Sequence, residues 1–156
     1  PHVQAMLEHL PPADETLEMI AAIWLHDIIY DPHSGSNEEL SADQAKADLR
    51  DRPDIDAGQV AALVRGTKLH EPGDHTQDIL NDLDLGIFGT HRQTYANYAR
   101  QIRQEYSFVP DDVYAPNRAL ILSRFDQHKI YRTPNFAHLE GQAHENLRWE
   151  IAELAG

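Results

Sequence analysis

The sequence predicts a single all-α domain of seven or eight helices, and three observations support this fold class. Apolar residues recur every three or four positions along most of the chain, as they do on one face of a helix. No segment alternates apolar and polar residues in the manner of a strand, and capping residues precede several of the periodic segments. The 156 residues are enough for one core, so the domain prediction covers residues 1–156.

The first half of the chain contains four predicted helices. A proline pair ends the first helix, and Asp14 is the expected N-cap of the second. The second half of that helix, up to Tyr30, is apolar on nearly every face, which predicts that it is buried. Asn37 or Ser41 caps the third helix, and Ser41 opens a capping box. The predicted spans are His2 to Leu10, Asp14 to Tyr30, residue 37 or 41 to Arg52, and Ala57 to Leu69.

The second half of the chain contains the remaining predicted helices. A Glu-Pro-Gly break precedes the fifth helix, and Gly89 ends it. Thr90 opens a second capping box, and Thr133 is an N-cap followed by proline at the first position of the last helix. Trp24, Trp149 and the tyrosine stripe of the sixth helix are expected in the core, and the alternative is a platform on which bases stack. The predicted spans are Thr76 to Phe88, Thr90 to Tyr106, Val113 to Tyr131, and Thr133 to Leu154.

The composition excludes several functions. A net charge of −13 disfavours binding to nucleic-acid polymers and to anionic membranes. No apolar run approaches the roughly 18 residues of a membrane-spanning helix. The absence of cysteine excludes disulfides, thiolate zinc sites and a cysteine nucleophile, and it is compatible with the cytoplasmic location that we expect. The first residue is proline rather than methionine, so we expect a further segment upstream.

Ten histidines without a cysteine favour metal binding by imidazole and carboxylate groups, and the pair His26-Asp27 is the first candidate. The pair lies in the apolar half of the second predicted helix, where a carboxylate is costly unless it is paired or bound to a cation. Adjacent helix residues do not face each other, but both can reach a divalent cation beside the helix. The alternative, favoured for an isolated pair, is a core histidine and an aspartate that accepts a hydrogen bond from another helix.

Further metal ligands would come from other helices. His2 lies off the apolar stripe of the first helix. Asp82 and Asp84 are about 200° apart around the fifth helix, so only one of the two carboxylates enters a given pocket. The alternatives are a frayed terminal histidine and two aspartates that cap the helix or face solvent.

Seven segments follow one another in an order that carries a family resemblance. They are Pro1 to Leu7, Leu25 to Pro32, Asn37 to Ala42, Asp82 to Gly89, Tyr98 to Tyr106, Ile130 to Thr133, and Phe136 to Glu150. Together they cover nearly the whole chain, and they resemble a branch of the HD-domain superfamily, the predicted metal-dependent phosphohydrolases of uncharacterised substrate. The resemblance implies an HD-type helical bundle that hydrolyses a phosphomonoester or a nucleotide.

Carried over to this sequence, the resemblance implies that His2, His26, Asp27 and Asp84 bind the metal, with Asp82 as the reserve for Asp84. Asp27 would also be catalytic. The implied cofactor is a divalent metal ion such as Mn, Co, Ni, Fe, Zn or Mg, and this ligand set suits transition metals better than Ca. The metal would lower the pKa of a bound water and neutralise charge on the phosphoryl group.

Other residues are candidates for catalysis and substrate binding. Glu38 and Glu39 follow the His-Asp pair, and either is a candidate general acid or base. Alternatively, both complement the dipole of the third helix. Arg65, Lys68 and His70 are candidates for binding the substrate phosphate, and His70 is alternatively a ligand of a second metal. The two cationic residues would otherwise complement the C-terminal end of the fourth helix.

Two other functions stay open from the sequence alone. A non-catalytic HD module would bind a metal or a nucleotide without turnover. A di-iron oxygenase-type member would need further histidines, such as His70 and His75, at a second ion. For the enzyme we expect a small phosphorylated metabolite as partner, with nucleotides among the candidates, and neither a nucleic-acid polymer nor a membrane. Homo-oligomerisation stays open.

Overall fold

The computed structural model describes residues 1–156, and all of its regular structure is helical. The predicted all-α class with seven or eight helices is therefore confirmed. None of the helices is both long and apolar enough to cross a membrane. The α-helices are α1 (His2–His9), α2 (Leu17–Leu25), α3 (Asn37–Asp48), α4 (Ala57–Gly66), α5 (His75–Asp84), α6 (Arg92–Glu105), α7 (Asp111–Asp126) and α8 (Glu140–Ala155). Short 3-10 segments lie at Pro12–Asp14, Gly86–Gly89 and Pro134–Leu139.

The chain divides into two compact units, Pro1–Asp84 and Leu85–Gly156, while the expectation of one domain over the whole chain stays a prediction. In the first unit, α1, α2, α4 and α5 pack around one core, and α3 packs along α4. Small side chains allow this close approach, because Ala42 and Ala45 of α3 are fully buried. The fully buried larger side chains of the core are Met6, Met19, Ile23, Val60, Val64, Ile79 and Leu80.

In the second unit, α7 packs along α8, and α8 also contacts the Gly86–Gly89 segment. Asn146 of α8 is fully buried, and its Nδ2 donates hydrogen bonds to the carbonyl groups of Phe88 and Thr90, each at 2.8 Å. These bonds tie the helix to the segment, because they satisfy main-chain acceptors that would otherwise be buried without a partner.

A buried ion pair also lies in the second unit. Arg118 Nε of α7 donates to Glu150 Oε1 of α8 at 2.8 Å, and the hydroxyl of Tyr95 donates to the other oxygen of that carboxylate. Trp149 contacts the ring of Tyr95, and the guanidinium of Arg92 lies 5.1 Å above the indole. The core of this unit therefore combines aromatic packing with a paired buried charge.

Helix α2 differs most from its prediction. It begins after Thr16, whose hydroxyl oxygen accepts the N–H of Met19 at 3.1 Å, and it ends at Leu25 rather than at Tyr30. The prediction that its second half is buried on nearly every face was wrong, since Trp24 is 58 % exposed and Ile28 and Tyr30 are half-exposed. The face that carries Ile23 and His26 is buried as predicted. An all-apolar pattern carries no stop signal, so the periodicity could not locate the end of the helix.

Both predicted capping boxes were wrong as well. Ser41 lies inside α3, is fully buried, and hydrogen-bonds the main chain of Ile29. Thr90 donates its hydroxyl to the carbonyl of Ile87 at 2.8 Å, and α6 begins at Arg92. In each case the hydroxyl bonds a main-chain group outside the helix that it was expected to cap. Local sequence does not show which of these main-chain groups the hydroxyl will bond.

Candidate metal centre

Three helix ends of the first unit bring a histidine–aspartate cluster together. His2 is the first residue of α1, His26 is the C-cap of α2, and Asp84 is the last residue of α5. His2 Nε2 donates to Asp84 Oδ1 at 2.8 Å, and His26 Nε2 lies 3.3 Å from the same oxygen. One ligand atom from each residue lies within 4.8 Å of the other two, so a single cation can contact all three.

The orientation of the His26 ring is set by the main chain. His26 is 1 % exposed, and its Nδ1 lies 2.8 Å from the carbonyl oxygen of Ile23. Because a carbonyl only accepts, Nδ1 carries the proton, and in the neutral ring Nε2 therefore presents its lone pair. Metal-binding histidines are commonly held in this way.

The Nε2 atom of His26 is one of two buried side-chain polar atoms that lack a hydrogen bond, the other being the hydroxyl oxygen of Tyr114. This nitrogen lies 3.3 Å from Asp84 Oδ1 and 3.3 Å from Asp27 Oδ2, yet neither approach forms a hydrogen bond. An unsatisfied buried nitrogen costs free energy, and a cation bound by its lone pair would satisfy it. The donor set of this structure thus fits a divalent metal ion.

The electrostatics of the cluster favour a positive charge. Burial raises the pKa of Asp84, but the neighbouring imidazole groups of His2, His26 and His70 outweigh this effect and hold that pKa well below its ordinary value. Burial lowers the pKa of His26, but Asp27 and Asp84 together raise it to about 10. Without a metal, a proton on His26 supplies the positive charge that the carboxylates require.

Asp27, the fourth ligand implied by the resemblance, lies at the rim. Its side chain is 51 % exposed, and only its approach to His26 connects it to the cluster. The expectation that this carboxylate is buried was wrong, because α2 ends before it. Asp82 is fully buried but does not belong to the cluster, so Asp84 is the aspartate of α5 that faces His2 and His26.

His70 also contacts Asp84. Its Nε2 donates to Asp84 Oδ2 at 2.7 Å, so the two carboxylate oxygens bind two different histidines. His70 has a φ of 51°, the single positive value at a non-glycine residue. Such backbone strain costs about 1–3 kcal/mol and concentrates at functional sites. The adjacent carbonyl of Glu71 accepts the Nδ2 of Asn81, a fully buried side chain of α5, which fixes this turn.

Sequence reasoning missed two parts of this arrangement, the Ile23 carbonyl behind His26 and the contact between His70 and Asp84. No residue-type pattern marks a main-chain acceptor, and His70 lies in a loop without periodicity. His75 does not join the cluster, since it is exposed and pairs with Asp14 at 2.8 Å.

The two cationic candidates for substrate binding, Arg65 and Lys68, form hydrogen bonds with α3 and with the loop before it. Arg65 Nε donates to both carboxylate oxygens of Glu39 at 3.0 and 2.9 Å, and this contact, more than any other, lowers the pKa of Glu39. Lys68 Nζ donates to the carbonyl oxygen of Gly35 at 2.9 Å. Arg65 and Lys68 line an open cavity, and Glu38 is half-buried. Glu39 is therefore an ion-paired carboxylate, which disfavours it as a general acid.

The fold and the site define an all-helical protein with a histidine–aspartate cluster suited to a divalent cation. Comparison with protein-family models, with curated proteins and with solved structures gives no match to the chain.

Proposed function

We propose that the chain is an HD-type, metal-dependent phosphohydrolase that acts on a small phosphorylated metabolite. One observation carries the proposal. The carbonyl of Ile23 sets the tautomer of the buried His26 ring, and Nε2 of that ring lies close to both Asp84 and His2. This combination of a fixed lone pair, a second imidazole and an anionic carboxylate is what a divalent metal requires.

The ligands in this proposal are His2, His26 and Asp84, and Asp27 completes the set from the rim. A divalent metal bound there supplies a water of lowered pKa and positive charge for the phosphoryl oxygens. Asp27 is half-exposed, so solvent and substrate reach it, and we assign to it the hydrogen bond that orients the attacking water. His70 holds the second oxygen of Asp84 and thereby keeps that carboxylate in one orientation.

Lys68 is the better candidate of the two cations for binding a phosphate. Arg65 already neutralises Glu39 and approaches Asp43 at 3.3 Å, so a phosphate would have to displace two carboxylates. Lys68 donates to one neutral carbonyl, which costs less to exchange for an anionic phosphate. Lys68→Ala should raise KM for phosphorylated substrates and leave metal content unchanged.

The test of the proposal is a hydrolysis assay on purified protein loaded separately with Mn, Co, Ni, Fe, Zn or Mg. The substrates are a panel of phosphomonoesters that includes nucleoside monophosphates. Asp27→Asn should lower kcat/KM by about a hundredfold or more, while the matched exchange at the exposed Asp51 leaves it unchanged. Full activity in Asp27→Asn contradicts the assigned role. Metal binding without turnover of any substrate would instead favour a non-catalytic binding module.

A further inference from the structure

Two side chains of α3 hold the main chain that follows the His-Asp pair. Ser41 Oγ accepts the N–H of Ile29 at 3.1 Å and donates to the carbonyl oxygen of Ile29, also at 3.1 Å. Asn37 Oδ1 accepts the N–H of Asp31 at 3.0 Å, and Asn37 Nδ2 donates to the carbonyl oxygen of Asp31 at 2.9 Å. Each side chain therefore satisfies both polar main-chain groups of one residue. We call Asn37 and Ser41 the α3 clamp.

The geometry of the clamp follows from the helical period of α3. Residues four apart on a helix share a face and lie about 6 Å apart along its axis, so Asn37 and Ser41 both face the segment after α2. Each of the two side chains can bond both the N–H and the C=O of one residue, because amide and hydroxyl groups both donate and accept.

Packing contributes less to fixing the clamped segment. Residues 27–31 follow the end of α2, and Asp27, Ile28 and Tyr30 are each about half-exposed. Ser41, by contrast, is fully buried within α3, which packs along α4. The clamp therefore connects an exposed segment to the buried face of a packed helix.

We propose that Asn37 and Ser41 are positioning residues for His26 and Asp27, an inference that rests on the proposed metal centre. Ile23 holds the His26 ring from the helix side. The clamp holds the chain from the other side, starting two residues after Asp27. Together they fix where the chain leaves α2, and so keep Asp27 Oδ2 beside His26 Nε2 at the observed 3.3 Å.

The test measures Co²⁺ binding to the purified full chain, using the visible absorption of the ion, whose intensity and position report coordination geometry. Ser41→Ala and Asn37→Ala should each weaken Co²⁺ binding by about tenfold, the lower end of the loss typical of a group that bonds a metal ligand directly, because Ser41 and Asn37 hold the chain that carries the ligands. Both variants should also change the shape of the spectrum. Asn37 is half-buried, so Asn37→Ala keeps the test decisive if Ser41→Ala does not fold.

Thr16→Ala is the matched control. Thr16 also bonds a main-chain N–H, and it does so at the opposite end of α2, away from the ligands. Its loss should lower the free energy of unfolding, measured by urea titration in chelator, while the Kd for Co²⁺ stays within about twofold of the wild-type value. This comparison separates a general loss of stability from a loss of ligand positioning.

The outcomes are distinguishable. If wild type binds Co²⁺ and both clamp variants retain its Kd and spectrum, the positioning role is overturned while the metal centre stands. If Thr16→Ala weakens Co²⁺ binding as much as the clamp variants do, the positioning role is overturned as well. If wild type binds neither Co²⁺ nor any of the other divalent metals, the proposed function and the inference that rests on it both fail.

Discussion

Replacement of Asp84 by asparagine is expected to destabilise the metal-free protein by about 2–4 kcal/mol. The Asp84 side chain is only 16 % exposed, and it accepts hydrogen bonds from His2 and His70 at 2.8 and 2.7 Å. A hydrogen bond to a charged group contributes about 1.5–3 kcal/mol, and we discount the contribution of the more exposed His2 for solvent screening. Asparagine keeps one acceptor oxygen but removes the negative charge that balances His26.

Asp27→Asn is the matched comparison. Asp27 is half-exposed and lies 3.3 Å from His26, so its replacement should change the free energy of unfolding by less than about 1 kcal/mol. The two variants carry the same chemical change at a buried and at an exposed carboxylate of one cluster. The expected difference between their free energies of unfolding therefore follows from the burial of each carboxylate and from the number of histidines that it contacts.

The assay is urea unfolding followed by far-ultraviolet circular dichroism in the presence of a chelator. The three histidines hold the pKa of Asp84 well below its ordinary value of 3.8 against the opposing effect of burial. A depressed pKa stabilises the fold above the unfolded value, and this contribution is lost as the pH falls toward the folded value. The difference between wild type and Asp84→Asn should therefore be largest near neutral pH and shrink in acid. A free energy of unfolding of Asp84→Asn within about 1 kcal/mol of the wild-type value near neutral pH would contradict this role of Asp84, and so would an equal loss in Asp27→Asn.

Glu150→Ala should cost about 3–5 kcal/mol in urea unfolding, because Arg118, whose side chain is 11 % exposed, is left without its carboxylate. The double variant Arg118→Met with Glu150→Leu should cost clearly less than the sum of the single replacements, and strict additivity would contradict the pairing. In the metal-free protein, burial lowers the pKa of His26 but Asp27 and Asp84 raise it from 6.5 to about 10. The protonated ring stabilises the fold fully below the unfolded value, and this contribution is lost as the pH rises through the folded one. The free energy of unfolding in chelator should therefore fall between pH 6.5 and about 10. A value that does not change with pH over that range would count against the contact of His26 with the two aspartates.

The sequence was informative where the position of a residue on a regular helix decides which way its side chain points. The three- and four-residue spacing of apolar side chains predicted the all-α class. The 200° separation of Asp82 and Asp84 predicted that only one of them would enter a given pocket, and Asp84 is the one that meets His2 and His26. Both conclusions depend on the helical period alone, which is local and strong.

The sequence was uninformative where main-chain groups choose distant partners. Helix α2 ends at Leu25, and the chain after it bonds Asn37 and Ser41 of α3, whereas the capping pattern of Ser41 pointed to a different use of its hydroxyl. The positive φ of His70 depends on the contacts around Asp84 and Glu71. Neither feature has a local pattern, because both are selected by tertiary contacts that override propensity.

The placement of the two tryptophans gives each unit its own fluorophore. Trp24 belongs to the first unit and is largely in water, whereas Trp149 belongs to the second and lies against Tyr95 and Arg92. Trp24→Phe therefore leaves an emission that reports only the second unit, and Trp149→Phe leaves one that reports only the first. Unfolding followed with this pair of variants resolves the two units separately, and coincident midpoints would mean that residues 1–84 and 85–156 lose their structure in a single cooperative step.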